Sequence, residues 1–104
     1  MAGRVRVLSE RLMVAGKEAQ VADVMDRVVA RVRKQPGFVS GDVLKDTADP
    51  AVYAILTEWE SMPHLNAWLK HADYDKLNRE MNNSLGSPVR YQILERQKDE
   101  VFLL

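Results

Sequence analysis

The chain has 104 residues, 46% of them hydrophobic and 29% charged, which suits one domain with a buried core and is too apolar for a disordered chain. Fifteen basic and fifteen acidic side chains cancel, so no net field draws the protein to nucleic acid or to anionic lipid. The chain contains no cysteine, which excludes disulfides, thiolate metal ligands and a thiol nucleophile, and no apolar run approaches the ~20 residues of a membrane span.

Met1-Ala2-Gly3-Arg4-Val5-Arg6 lacks the apolar stretch of a secretory signal, so a cytoplasmic protein is the expectation. From Val5 to Val14 the pattern is that of a strand, with Leu8, Glu10, Leu12 and Val14 on one parity, and Gly16 breaks it. Val21, Val24, Met25, Val28, Val29 and Val32 recur at helical spacing and predict one amphipathic helix, ended by Pro36-Gly37. A second strand is expected from Phe38 to Lys45. Asp46-Thr47-Ala48-Asp49-Pro50 has hairpin-loop composition, and a third strand runs from Val52 to Glu60. Ser61-Met62-Pro63 has the form of an N-cap with proline in the first turn, opening a short helix with Leu65, Trp68 and Leu69 on one face. Asp73 is the expected cap of a further helix carrying Tyr74, Leu77, Asn78 and Met81 on a shared face. Residues 82–88 read as a loop, and the fourth strand spans Val89 to Arg96.

Strand, helix, strand, strand, helix, strand is the order of an α+β, ferredoxin-like domain over residues 1–104, a four-stranded antiparallel sheet with helices on one face. Such a fold leaves the other face of the sheet bare. Yet the third strand is apolar on both parities: Val52, Ala54 and Leu56 on one, Tyr53, Ile55 and Trp59 on the other. A sheet wet on one side alternates apolar with polar, so a second copy of the chain is the expected cover, giving a homodimer through the sheet face. The apolar Val101-Phe102-Leu103-Leu104 is expected to join that contact.

Pro36-Gly37-Phe38 follows the first helix, Trp59-Glu60-Ser61 ends the third strand, and Trp68 comes nine residues later. In these features the chain resembles the antibiotic-biosynthesis monooxygenase family of dimeric α/β barrels, from Val5 to about Arg96. The resemblance implies a cofactor-independent monooxygenase of polyketide type or, in another branch, a haem-degrading enzyme. The haem branch uses an asparagine, a tryptophan and an axial histidine. Here those positions read Glu10, Trp68 and Asn78, and a neutral amide is a poor iron ligand beside imidazole. For the polyketide branch Trp59 and Arg79 match, whereas two further polar positions read Ile55 and Leu65.

The residues themselves nominate a site. Glu10 shares its parity with Leu8 and Leu12, so it is expected to point inward, where desolvation would raise its pKa and suit it to act as a general base. The bland alternative is a glutamate turned to solvent or bridged to an arginine. Trp59, Trp68 and Tyr74 fit plain core, the commoner role of such residues, or the wall of a pocket for a flat aromatic ligand. Asn78, on the same stripe, needs hydrogen bonds that a polar ligand would supply. Arg79 is either an anion clamp or a solvated side chain. His64 and His71 are too loosely arranged for a metal site, although His71 is close enough to Trp68 in sequence to reach a pocket mouth. The expectation is an oxygenase acting on a phenol or quinol with no cofactor and no metal. Glu10 would be the base and Asn78 or Arg79 would steady the anion. A non-catalytic small-molecule-binding module, or a haem-binding one using His71, is the alternative.

Overall fold

The computed structural model describes residues 3–97, and the expected role of Val101–Leu104 falls outside them. Strands β1 (Val5–Leu12), β2 (Phe38–Lys45), β3 (Val52–Trp59) and β4 (Arg90–Glu95) form one sheet in the order β2-β3-β1-β4, with every neighbouring pair antiparallel. Helices α1 (Glu18–Val32), α2 (Met62–Leu69) and α3 (Ala72–Leu85) complete the ferredoxin-like arrangement.

One buried cluster joins the sheet to the helices: Val5, Val7 and Trp59 pack with Val32, Leu65 and Trp68. A second, formed by Val21, Val24, Met25, Leu77, Met81 and Leu85, holds α1 against α3. An ion pair from Arg27 to Glu80, 2.5 Å between Nη1 and Oε2, closes the rim between these two helices.

Local chemistry accounts for the boundaries. Ser61 caps α2 as its sequence indicates, its Oγ accepting the His64 N–H at 3.4 Å, with proline in the first turn. The cap of α3 is His71 rather than Asp73: its Nδ1 accepts the Asp73 N–H at 3.0 Å, and Asp73 sits in the first turn, where a carboxylate complements the helix dipole. Helix α3 also continues through residues 82–85, expected to be loop. Leu85 is buried in the second cluster, Ser84 Oγ bonds back to the Glu80 carbonyl, and burial outweighs the weak propensity of the two asparagines. Gly86, at φ +79°, then ends the helix. Gly37 also has a positive φ, +81°, and its backbone passes so close to the His64 ring that a Cβ there would overlap it.

The helices cover the face of β1 that carries Val5, Val7, Ser9 and Arg11, in register with Trp59, Thr57, Ile55 and Tyr53 of β3. The opposite face carries Leu8, Glu10 and Leu12 beside Leu56, Ala54 and Val52. Among the described residues that face is left open, with Leu12 48%, Leu44 43% and Leu94 51% exposed. It is also charged at one end. Glu58, buried, accepts from Arg6 Nε at 2.9 Å and Arg4 Nη1 at 3.0 Å, with Arg96 Nη2 at 3.5 Å.

Candidate functional site

Between the sheet and the helices lies a cavity of about 340 Å³, within the size range of small-molecule sites. Its wall is largely apolar and aromatic because the positions that face it are the inward stripes of an amphipathic helix pair and the covered parity of the sheet. The aromatic side is a connected set of rings. Phe38 meets Trp59 edge-on at 5.3 Å, Trp59 stacks on Trp68 at 6.4 Å with planes 24° apart, and Tyr74 meets Trp68 edge-on at 5.7 Å. Such offset and edge contacts suit the ring quadrupoles and hold the wall rigid. The Trp59 indole N–H donates to Thr57 Oγ1 at 3.1 Å, so a neighbouring side chain satisfies it and no ligand is needed for that purpose.

Polar atoms gather at the end of the cavity near the C-terminal half of α3. Arg11 is only 4% exposed and is the single charged residue among the described lining residues. Its Nε donates to the Gly86 carbonyl at 3.2 Å, and its Nη2 donates to Asn78 Oδ1 at 3.2 Å and Asn82 Oδ1 at 2.9 Å. Burial lowers the Arg11 pKa, with the nearby Tyr74 acting in the opposite direction. An arginine starts so high that the group remains a cation near neutrality. Tyr91, across the sheet from Ser9, also lines the space. Burial, followed by the charge and hydrogen bond of the neighbouring Tyr74, pushes its phenol up to about 12.

Of the residues nominated from the sequence, Trp59, Trp68, Tyr74 and Asn78 line this cavity, and Glu10, His71 and Arg79 do not. The placement of Glu10 is a correction. Its parity is the one the helices leave uncovered, and its Oε1 lies 3.7 Å from Arg90 Nε. Both parities of β1 carry apolar residues, so alternation alone did not tell which one turns to the helices. His71 spends its Nδ1 on the α3 cap and lays its ring 5.6 Å from Trp68, outside the lining set. Arg79 is 74% exposed in its side chain and pairs along the helix with Asp75 at 2.7 Å. The axial position of the haem branch, Asn78, does lie in the cavity, but its amide oxygen is engaged by Arg11. Neither histidine lines the space, so the lining residues offer no imidazole to a haem iron.

Arg11 is the residue that sequence reasoning missed. The available signal was an arginine in alternation with Val5, Val7 and Ser9, together with Asn78 and Asn82 one helical turn apart, two neutral acceptors spaced to take one guanidinium. Treating residues 82–88 as loop removed the second acceptor from the helix and hid the pattern.

Comparison with known proteins places this geometry in a family. A curated relative, Protein SchA of Streptomyces halstedii, is 28% identical over 99 residues, covering 93% of this chain and 26% of the relative. The chain therefore spans about a quarter of the length of the curated relative it matches. A candidate antibiotic biosynthesis monooxygenase of Caulobacter crescentus superimposes with a TM-score of 0.82 at 20% identity, over 93% of this chain and 92% of that one. A mutant of SnoaB, a cofactor-independent oxygenase from Streptomyces nogalater, gives a TM-score of 0.80 at 16% identity, over 93% and 96%. Rv0793 from Mycobacterium tuberculosis gives 0.80 at 14% identity, over 94% and 99%. At these identities the structural matches speak for the fold. The sequence profile of the antibiotic biosynthesis monooxygenase family matches residues 6–80, most of the chain, and the protein belongs to that family.

Proposed function

We propose that this protein is a small monooxygenase that oxidises an electron-rich aromatic, a phenol or quinol, in the cavity between sheet and helices, with dioxygen as oxidant and no cofactor. The observation that carries the proposal is the cavity itself: a rigid aromatic wall of Trp59, Trp68 and Tyr74 facing a few polar groups at one end. A flat ring stacks on that wall, and its ionised oxygen meets the donors beside Asn78. The apolar surroundings keep water from the electron-rich anion while it reacts with dioxygen. One oxygen atom enters the ring as a carbonyl and the other leaves as water. A phenol going to its quinone supplies all four electrons and two hydrogens.

Among the described lining residues there is no carboxylate and no histidine to act as base. The proton is therefore lost to solvent, made easier by a nearby cation that favours the anionic form of the bound substrate. With polyhydroxylated naphthalenes as trial substrates, oxygen-electrode traces should show one dioxygen consumed per ring oxidised, faster than autoxidation and without hydrogen peroxide. Ring binding with no uptake above autoxidation across the set would instead assign a non-catalytic binding module, a reading that the absence of a lining base favours.

The protein acts as a homodimer through the open face of the sheet. The exposed Leu12, Leu44 and Leu94 support this, because an apolar face of that kind is covered in a stable soluble protein. Sedimentation equilibrium at micromolar concentration should return twice the 11.9 kDa chain mass. Leu12→Arg should shift the population toward monomer, and a native chain that sediments as a monomer would refute the dimer.

A further inference from the structure

Arg11 has more donors than the protein uses. A guanidinium carries five N–H groups, and the Nε and Nη2 groups go to Gly86, Asn78 and Asn82, all neutral oxygens. Its Nη1 amino group has no hydrogen-bond partner among the described residues, and no carboxylate forms an ion pair with it there. The nearest acidic residue in sequence, Glu10, lies on the other side of the sheet and is turned to Arg90. A cation buried to this degree without a counter-ion is costly, and a bound anion offsets the cost. The three neutral acceptors fix the plane of the fork without neutralising its charge.

We propose that Arg11 is the anchor for an anionic ligand, so that the cavity selects planar aromatic acids: rings carrying one carboxylate, or an enol acidic enough to be ionised near neutrality. The proposal rests on the cavity being the ligand site, as in the oxidation reading, and adds the charge of the ligand and the residue that reads it. Asn78 holds Arg11 from the helix side, Trp59 and Trp68 take the ring, and Tyr74 stands between the two ends. Tyr91 lines the same space.

The test is quenching of tryptophan fluorescence at pH 7.5 with two matched pairs of probes. 2-Naphthoate is set against naphthalene-2-carboxamide, and 2-hydroxy-1,4-naphthoquinone, ionised at this pH, against its neutral methyl ether. The native chain should bind the anion of each pair at least tenfold more tightly. A preference confined to the first pair identifies a carboxylate as the ligand group, and one confined to the second an ionised enol; either supports the anchor. Arg11→Gln should bring each pair to within about twofold. Because Arg11 also ties Gly86 to α3, Asn78→Asp gives a second route that keeps the fork in place. Its new carboxylate pairs with Arg11 and should bring each pair to within about twofold, as Arg11→Gln does.

Equal binding within both pairs in the native chain, no binding of any probe, or a preference that survives both substitutions overturns the proposal. Loss of oxygen uptake with the preference intact would count against the oxidation reading alone.

Discussion

Trp59→Ala should destabilise the fold by about 3–5 kcal/mol, the usual cost of removing a fully buried aromatic, and lower the melting temperature by roughly 15 °C or more for a domain of this size. Trp59 is 1% exposed and lies where the sheet, α2 and the loop before β2 meet, touching Phe38 and Trp68 ring to ring. The truncation therefore removes transfer energy, opens a void and ends two aromatic contacts at once. Trp59→Phe keeps a ring against both neighbours and loses the bond to Thr57, so it should cost less than half as much. Urea unfolding followed by far-ultraviolet circular dichroism measures both. An alanine variant within 1 kcal/mol of native would mean that Trp59 packs far more loosely than the structure has it.

Glu58→Gln should lower stability at pH 7 by about 1–3 kcal/mol, the cost of stranding the donors of a buried hydrogen-bonded charge. The larger losses seen for deep ion pairs are discounted here, because Arg4 and Arg6 keep about half of their side-chain surface in water. The effect carries a pH signature. Burial, the largest single influence on Glu58, acts to raise its pKa. The hydrogen bonds and charges of Arg6 and Arg4 together outweigh burial and hold the carboxyl below its ordinary value of 4.5. A carboxylate whose pKa is lower folded than unfolded stabilises the protein above the unfolded value, and this contribution is lost as pH falls through the folded value. The gap between native and Glu58→Gln should therefore be full at pH 6–7, narrow below about 4.5 and close under the folded pKa. A gap that is constant from pH 7 to pH 3 would show that the loss comes from packing and not from charge.

The two parts of the molecule differ in how plainly the sequence carried them. Local rules were sufficient for most elements. The valine repeat of α1, Ser61 and Pro63 at the start of α2, and the glycine at the end of the first helical unit each act within a turn or two of the chain. The end of α3 departed from expectation because it is held from a distance: Leu85 by the second core cluster and Asn82 by Arg11, 71 residues away. Trp59, Trp68 and Tyr74, which the sequence left open between core and pocket wall, line the cavity together with Asn78 because the folded sheet and helices turn them to it.

Periodicity by itself determined an α+β order of strands and helices and a sheet apolar on both sides, since each depends on spacing along the chain, while the family resemblance was carried by particular residues, Pro36-Gly37-Phe38, Trp59-Glu60-Ser61 and Trp68. Only the tertiary structure decided which face of the sheet the helices take. Both parities of β1 and β3 are apolar enough to be covered, and the choice is made by the joint packing of Val5, Val7 and Trp59 under α1 and α2. That single decision sends Glu10 to Arg90 on the open face and Arg11 into the cavity. Two asparagines, 67 and 71 residues away, give the Arg11 charge partners that no local pattern contains. A guanidinium on a strand reads as solvent-facing until distant acceptors make its burial affordable, and those acceptors meet it only when the chain is folded.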